Sequence, residues 1–261
     1  MSHADATRGM LIALEGIDGA GTTTQAKMLR EYLEASGRAV LQTAEPSSRP
    51  IGKIIRRCLR GELNTDPATL ALLYAADRLD HLREEVEPAL AENKVVITDR
   101  YVFSSLAYQS IDLAMSWVGE LNRYAKNPDL TIFLEIDAET ALERIHRRGE
   151  AIEIFERADK QRLIASKYKD IFGSGTGKQG GPPPDPDGSM ADPRRSSRDP
   201  GGSMADPGGS GESTALEARL HPQHRAHIID GTLSQNAIHE SITKRVEKFA
   251  REHQLWEASG G

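Results

Sequence analysis

An apolar run that passes directly into a glycine-rich loop constrains this chain more than any other feature. Residues 10–14 are apolar, and a short loop follows with the sequence Gly16-Ile17-Asp18-Gly19-Ala20-Gly21-Thr22-Thr23-Thr24. Glycines let the backbone approach a ligand closely, and the N–H groups at the start of a helix attract anions. The sequence therefore predicts a buried strand, a phosphate-binding loop and a helix, in that order.

The loop departs at one position from the phosphate-binding pattern G-x-x-x-x-G-K-[ST]. Gly16, Gly21 and Thr23 match the pattern, but Thr22 stands where the lysine would reach the β- and γ-phosphates. The alternative is an ordinary strand-to-helix turn, and the flanking strand and helix favour the nucleotide site over it. Another cation must then take over the role of the lysine.

Composition and charge narrow the possible functions. The chain has 261 residues, of which 38% are hydrophobic and 28% charged, as is typical of a soluble globular protein. A net charge of −6 disfavours a broad nucleic-acid or membrane surface, and the first ten residues lack the apolar stretch of a secretory signal. We expect a cytoplasmic protein that binds small molecules, without nucleic-acid or membrane partners. The single cysteine, Cys58, is interpreted as core filler.

Apolar runs alternate with helical patterns along the chain, which predicts an α/β fold. Strands are expected at residues 10–14, 40–42, 95–98, 131–136 and 227–229, in a parallel sheet of about five strands between helices. A first helix should end before Gly37, and a last helix should run from Ser234 to about His253.

The domain boundaries follow from composition. Residues 1–9 are expected to form a tail, and residues 10–172 with 225–256 a single domain, while 173–224 form a Gly/Pro/Ser-rich insertion expected to be disordered. Within the insertion, Gly173–Lys178 imitates a second phosphate loop but lacks the first glycine and a preceding strand. The spacing of His221, His224 and His227 permits a metal site, but an exposed set of histidines is the preferred interpretation.

Side chains suited to phosphate chemistry follow two of the predicted strands. Asp99 and Arg100 come directly after one strand, where ligands of open α/β sheets bind. The aspartate can hold Mg²⁺ and the arginine can clamp a phosphate, although a structural ion pair is the alternative. Glu45-Pro46 follows another strand, where the glutamate is either a site residue or a solvated loop acid.

A predicted helix over residues 70–82 carries Tyr74 and Arg78 on one face. An aromatic ring can stack on a base while an arginine donates to its edge, but ordinary packing with a solvated charge is the alternative interpretation. Residues 104–109 add hydroxyl and amide groups near the same strand end.

Taken together, these motifs resemble the thymidylate kinase family of P-loop nucleoside monophosphate kinases. The resemblance covers about residues 10–172 and 225–253, and it rests on Glu15–Gly21, Glu45-Pro46, Tyr74–Arg78, Asp99-Arg100-Tyr101, Ser105, Ala107-Tyr108-Gln109, Pro128-Asp129-Leu130 and Ile229-Asp230-Gly231. It implies the three-layer P-loop NTPase fold with a mobile lid around residues 144–157. It also implies phosphorylation of dTMP to dTDP with ATP and Mg²⁺, in dTTP biosynthesis, by a homodimer.

The resemblance also implies roles for individual residues. The loop Gly16–Thr24 would hold ATP, and Thr23 with Asp99 would hold Mg²⁺. Asp18 and Arg100 would act at the acceptor phosphate. The dTMP site would comprise Glu45, Pro46, Arg56, Tyr74, Arg78, Arg100, Ser105, Tyr108 and Gln109.

The cation that replaces the loop lysine is expected from the lid. The candidates there are Arg147, Arg148 and Arg157, and Lys27 ranks below them because it lies about 140° further around the helix than Thr22. Two alternatives to the proposed activity remain at this point. The chain could phosphorylate another deoxynucleoside monophosphate, or it could bind nucleotides without catalysis because Thr22 replaces the lysine.

Overall fold

The computed structural model describes residues 8–147, 154–173 and 226–255, with the side chains of the second range from residue 158 onward. The strands are β1 (Met10–Gly16), β2 (Val40–Ala44), β3 (Val95–Asp99), β4 (Leu130–Glu135) and β5 (Ala226–Asp230). The helices are α1 (Thr22–Ala35), α2 (Pro50–Leu59), α3 (Pro67–His81), α4 (Glu87–Ala91), α5 (Val102–Gln109), α6 (Met115–Leu121), α7 (Ala138–Arg147), α8 (Ile154–Phe172) and α9 (Gln235–Glu252). One π-helical turn, Leu82–Val86, joins α3 to α4.

The five strands form one parallel sheet in the order β2-β3-β1-β4-β5, which confirms the predicted α/β class. Each predicted strand agrees with the observed one to within two residues at either end. In the register of the sheet, Asp99 lies opposite both Leu14 of β1 and Ala44 of β2. The phosphate loop, the Asp99-Arg100 turn and Glu45 therefore leave the sheet at the same edge.

The core forms around β1 because this strand is buried along its whole length. Strands covered on both faces by helices read as continuous apolar runs, as residues 10–14 do. Helices α1 and α9 pack against each other, while α5 packs on α8 and also contacts β1. The expected apolar face of α1 is buried, with Ala26 and Leu29 fully inaccessible to solvent.

The predicted ends of two helices are confirmed. Gly37 has φ of +77° after the end of α1, and its N–H donates to the carbonyl oxygen of Glu34. Ser234 caps α9 by accepting a hydrogen bond from the N–H of Ala237. Helix α3 begins earlier than predicted, since Asp66 caps its first turn and Pro67 starts it.

The other predictions concern the imitation loop, the insertion, the single cysteine and the absence of a membrane span. Gly173 ends α8 with φ of +75°, so a helix precedes the imitation loop where a phosphate loop would need a strand. The rest of the insertion, with His221 and His224, lies outside the described residues, while His227 lies in β5. Cys58 is half-buried on α2. Among the described helices, none combines the length and apolarity needed to cross a membrane.

Replacement of Gly52 by alanine should destabilise the fold, because a Cβ there would lie 2.0 Å from the carbonyl oxygen of Ser47. Alanine has a helix propensity about 1 kcal/mol more favourable than that of glycine. Overpacking against rigid backbone costs roughly 1–3 kcal/mol, which outweighs that gain in helix propensity. Urea unfolding should therefore show a lower free energy of unfolding for Gly52→Ala. Lys53→Ala, at the exposed neighbouring position, is the control and should leave it nearly unchanged.

Candidate active site

The observed shape of the phosphate loop depends on glycine at three positions, of which Gly21 has φ of +100°. Gly19 has φ of +91°, and a Cβ on it would lie 2.5 Å from the carbonyl oxygen of Ala141 in α7. A Cβ on Gly16 would lie 2.9 Å from the Cβ of Ala20. The loop therefore folds closely on itself and against α7, and it delivers the first turn of α1 at Thr22.

Thr22 places a small buried side chain where the pattern has lysine. It is 5% exposed, and its Cγ2 atom lies 3.3 Å from the position of a Cβ on Gly16. Lys27 does not supply the missing charge in this structure, since its ammonium lies 3.8 Å from the carboxylate of Glu31 on the outer surface of α1. The loop thus holds no ammonium of its own.

Thr23 and Asp99 form a pair that suits a magnesium ion. The hydroxyl of Thr23 donates to Oδ2 of Asp99 at 2.5 Å. Oδ1 of the same carboxylate is buried and has no hydrogen-bond partner among the described residues. Because Mg²⁺ prefers oxygen ligands and keeps several waters, one carboxylate and one hydroxyl beside the phosphate loop fit it.

Arg100 is held in a left-handed backbone conformation, with φ of +71°, directly after β3. Its guanidinium donates to the carbonyl oxygen of Gly16 at 2.7 Å and to Asp18 at 2.6 Å, and it lies 5.0 Å from the centre of the Tyr108 ring. The hydroxyl of Tyr108 also donates to Asp18, at 3.0 Å. Burial alone would lower the pKa of Arg100, but Tyr108, Asp18, Tyr168 and Asp99 raise it, so the cation persists.

Glu15 fixes the backbone that carries Arg100. Its carboxylate, with no exposed surface, accepts hydrogen bonds from the N–H of Tyr101 at 3.0 Å, Ser104 at 2.6 Å and Tyr168 of α8 at 3.0 Å. Burial raises the pKa of Glu15, against the lowering effects of the Ser104 bond and the charge of Arg100. Glu15 belongs to a motif of the family resemblance, but the sequence does not indicate its role, because its hydrogen-bond partners lie far along the chain.

One cavity of about 220 Å³, termed the acceptor cavity, collects most of the predicted dTMP residues. Eight of the nine line it, together with Asp18: Glu45, Pro46, Tyr74, Arg78, Arg100, Ser105, Tyr108 and Gln109. Burial raises the pKa of the Tyr74 phenol to about 12, so its ring stays neutral. The cavity therefore joins an aromatic, donor-rich end to Arg100 at the phosphate loop.

Arg56 is the predicted member that does not line the acceptor cavity. Both of its Nη atoms donate to main-chain carbonyl oxygens, those of Ser47 and Pro46. Asp77 binds the same loop, accepting from the N–H and the hydroxyl of Ser47 at 2.6 Å each. These contacts hold the cavity wall after the cis peptide bond between Glu45 and Pro46.

Arg78 is buried at the inner end of the acceptor cavity, and only 1% of its surface is exposed. It pairs with the carboxylate of Glu45 at 2.7 Å and donates to the hydroxyl of Ser105 at 3.0 Å and to Asn122. His81 approaches the other oxygen of Glu45 at 3.5 Å. Glu45, predicted as part of the dTMP site, thus lines the acceptor cavity while its carboxylate forms a buried ion pair that supports Arg78.

A second cavity of about 390 Å³ lies on the other side of the phosphate loop, against α7 and the start of α9. It is lined by Gly19, Ala20, Gly21, Thr24, Gln25, Arg144, Arg147, Leu233, Ser234, Gln235 and Ile238. Arg144 donates to the carbonyl oxygen of Gly231 at 2.8 Å, and Arg147 pairs with Glu143 at 3.3 Å. Arg144 begins the predicted lid segment 144–157 but is not among the three arginines expected to replace the lysine. It lies three residues before Arg147 on the same helical face.

Two of the predicted lid arginines cannot be placed. Arg148 lies outside the described residues, and Arg157 belongs to α8 but its side chain is not described. Arg147 is thus the predicted lid cation that the structure brings to the second cavity.

Known proteins that are similar to this chain share one family description. The family model described as thymidylate kinase matches residues 14–178. A probable thymidylate kinase of Pyrococcus horikoshii is 44% identical over 167 residues, which cover 62% of this chain and 82% of the relative. Another, of Methanococcus vannielii, is 44% identical over 161 residues, covering 61% of this chain and 76% of the relative. A third, of Methanocaldococcus jannaschii, is 40% identical over 166 residues, covering 62% and 81%.

The raised pKa of Glu15 predicts a specific dependence of stability on pH. The folded protein holds this proton to higher pH than the unfolded chain, so stability falls as pH rises from about 4.5 through the folded pKa. Glu15→Gln cannot ionise. The free energy of unfolding of Glu15→Gln, relative to the parent protein, should therefore rise with pH across that window and level off above it.

Urea unfolding of both proteins between about pH 4.5 and about pH 8 measures this difference. Glu31→Gln, an exposed carboxylate on α1, is the matched control and should show no such rise. The free energy of unfolding of Glu15→Gln relative to the parent could instead stay constant or fall with pH. That result would show that burial does not destabilise the ionised form of Glu15.

Proposed function

The chain belongs to the thymidylate kinase family, and from this premise we propose that it transfers the γ-phosphoryl group of ATP to the 5′-phosphate of dTMP, giving dTDP and ADP with the help of Mg²⁺. One observation carries the proposal. The acceptor cavity has a base-binding end at Tyr74 and Arg78 and a phosphate-binding end at Arg100, and that second end contacts the phosphate loop.

The base end suits a pyrimidine. Tyr74 offers a neutral aromatic face for stacking, while Arg78 and Gln109 offer polar groups to the edge of the ring. Tyr108 also lines the cavity, and its hydroxyl donates to Asp18. The family resemblance implies that its ring lies against the deoxyribose.

The phosphate end suits transfer between two anions. The acceptor is already an anionic phosphate oxygen, so the site needs no nucleophile and little proton transfer. Its task is to align two phosphates that repel each other and to neutralise the charge of the transition state. Arg100 is positioned for this by its bonds to Gly16 and Asp18, and the loop N–H groups lie beside it.

The second cavity is the proposed site for ATP. It includes the loop residues Gly19 and Gly21, and Arg144 and Arg147 add the positive charge that Thr22 lacks. Thr23 and Asp99 would hold Mg²⁺, which would supply positive charge against that of the phosphates. The homodimer stays a prediction from the resemblance, and the cytoplasmic location stays a prediction from the sequence.

A coupled assay of ADP release with dTMP tests the reaction. The parent protein should form dTDP, and Arg100→Ala should lower kcat/KM for dTMP by at least about tenfold, since a charged hydrogen bond contributes roughly 1.5–3 kcal/mol. Lys53→Ala, on the exposed face of α2, should match the parent. Binding of ATP and dTMP without any dTDP would refute the kinase and favour a non-catalytic protein, while faster turnover of another deoxynucleoside monophosphate would refute dTMP as the preferred substrate.

The replacement at Thr22 predicts a non-additive pair of substitutions. Thr22→Lys should raise turnover by about tenfold by restoring one charged contact to the phosphates. The double variant Arg147→Ala/Arg148→Ala should then lose far more activity in the parent background than in the Thr22→Lys background. Equal losses in the two backgrounds would show that the lid arginines do not take the place of the lysine.

A further inference from the structure

Arg78 has almost no hydrogen-bonding freedom. Of its five N–H donors, Nε–H binds Glu45 at 2.8 Å, and Nη2 binds Glu45 at 2.7 Å and Ser105 at 3.0 Å. Nη1 donates to Oδ1 of Asn122. Within the described part of the chain, one N–H of Nη1 is left for a ligand in the acceptor cavity, which Arg78 lines.

Asn122, at the carboxyl end of α6, is the partner of Nη1 and, together with Glu45 and Ser105, fixes where that last N–H points. Its Nδ2 donates to the carbonyl oxygen of Val118 at 2.8 Å. A carbonyl oxygen only accepts and an arginine only donates, so the amide of Asn122 has a single satisfactory orientation, with Oδ1 toward Arg78. Because the guanidinium is planar, fixing one N–H of Nη1 fixes the direction of the other.

We propose that Asn122 is a positioning residue that sets the base selectivity of the acceptor cavity. By clamping Arg78, it presents a rigid N–H donor to the base, which favours a pyrimidine with an oxygen acceptor at position 4 over one with an amino donor there. Thymine carries O4, whereas cytosine carries N4–H₂. This inference rests on the proposed function and adds a selectivity determinant outside the set of cavity-lining residues.

The clamp matters because a mobile arginine would not discriminate strongly. If Arg78 could swing away, an incoming amino group would meet space or water instead of an opposing donor. Glu45 and Ser105 hold Nε and Nη2, on the other side of the guanidinium. Asn122 is the partner of Nη1 itself, and it is 8% exposed, so water does not readily replace it.

The test compares kcat and KM for dTMP, dUMP and dCMP in the parent protein and in Asn122→Ala. The ratio of kcat/KM for dTMP over dCMP should fall by about tenfold or more, the effect of losing one charged hydrogen bond. The dTMP over dUMP ratio should stay within about twofold, since both bases carry O4. KM for ATP should also stay unchanged.

Two further variants separate positioning from folding. Arg123→Ala changes the exposed neighbour at the same helix end and should leave all ratios as in the parent. Asn122→Asp keeps an oxygen facing Arg78 and should retain the dTMP over dCMP ratio even where total activity falls. An equal loss with all three substrates in Asn122→Ala, or an unchanged dTMP over dCMP ratio, would overturn the inference.

Calorimetric binding of dTMP and dCMP measures the same selectivity without turnover. A parent protein that binds dTMP but makes no dTDP would refute the proposed reaction, while the binding ratio in Asn122→Ala would still decide the role of Asn122. A parent protein that binds the two nucleotides equally would overturn the selectivity itself.

Discussion

The buried carboxylate of Glu15 is the interaction on which the site depends. It lies at the end of the central strand, one residue before the phosphate loop, and it ties down the start of α5 and the helix α8 at once. Burying a carboxylate is costly unless its oxygens are hydrogen-bonded. Here three donors and the nearby charge of Arg100 offset part of the cost, and burial still raises the pKa of Glu15. These hydrogen bonds consequently hold the loop, the strained turn at Arg100 and α8 together.

Two cavities meet at the phosphate loop, and each is lined by arginine. The acceptor cavity lies toward β2 and β3, and the second cavity lies toward α7 and α9, with the phosphate loop between them. Because Thr22 stands in place of the loop lysine, the positive charge beside the second cavity comes from Arg144 and Arg147 of α7. The side chain of Arg100 is 21% exposed and is held by Asp18, whereas that of Arg147 is 76% exposed, so the second cavity has the less constrained cation.

Local patterns in the sequence predicted the strands, the loop and the residues of the acceptor cavity well. The strand ends meet at one edge of a parallel sheet, so residues that follow them converge without further information. The partners of these residues were not predictable in the same way. Asn122 reaches Arg78, and Tyr168 reaches Glu15, only because α6 and α8 pack against α3 and α5. Arg56 is different again, because it was expected to contact the substrate and in this structure it donates to two main-chain carbonyl oxygens.

The order of strands in the sheet also has a consequence for synthesis. Among the described strands, the one synthesised first, β1, is the centre of the sheet, and both of its neighbours come much later, β3 from Val95 and β4 from Leu130. All strand pairs are therefore distant in sequence, which slows folding and exposes unpaired apolar segments in the meantime. The nascent chain carries the seven residues of β1, all buried in the folded protein, without a partner until its middle third has emerged. Protection by chaperones is thus most valuable early, before any part of the nucleotide site exists.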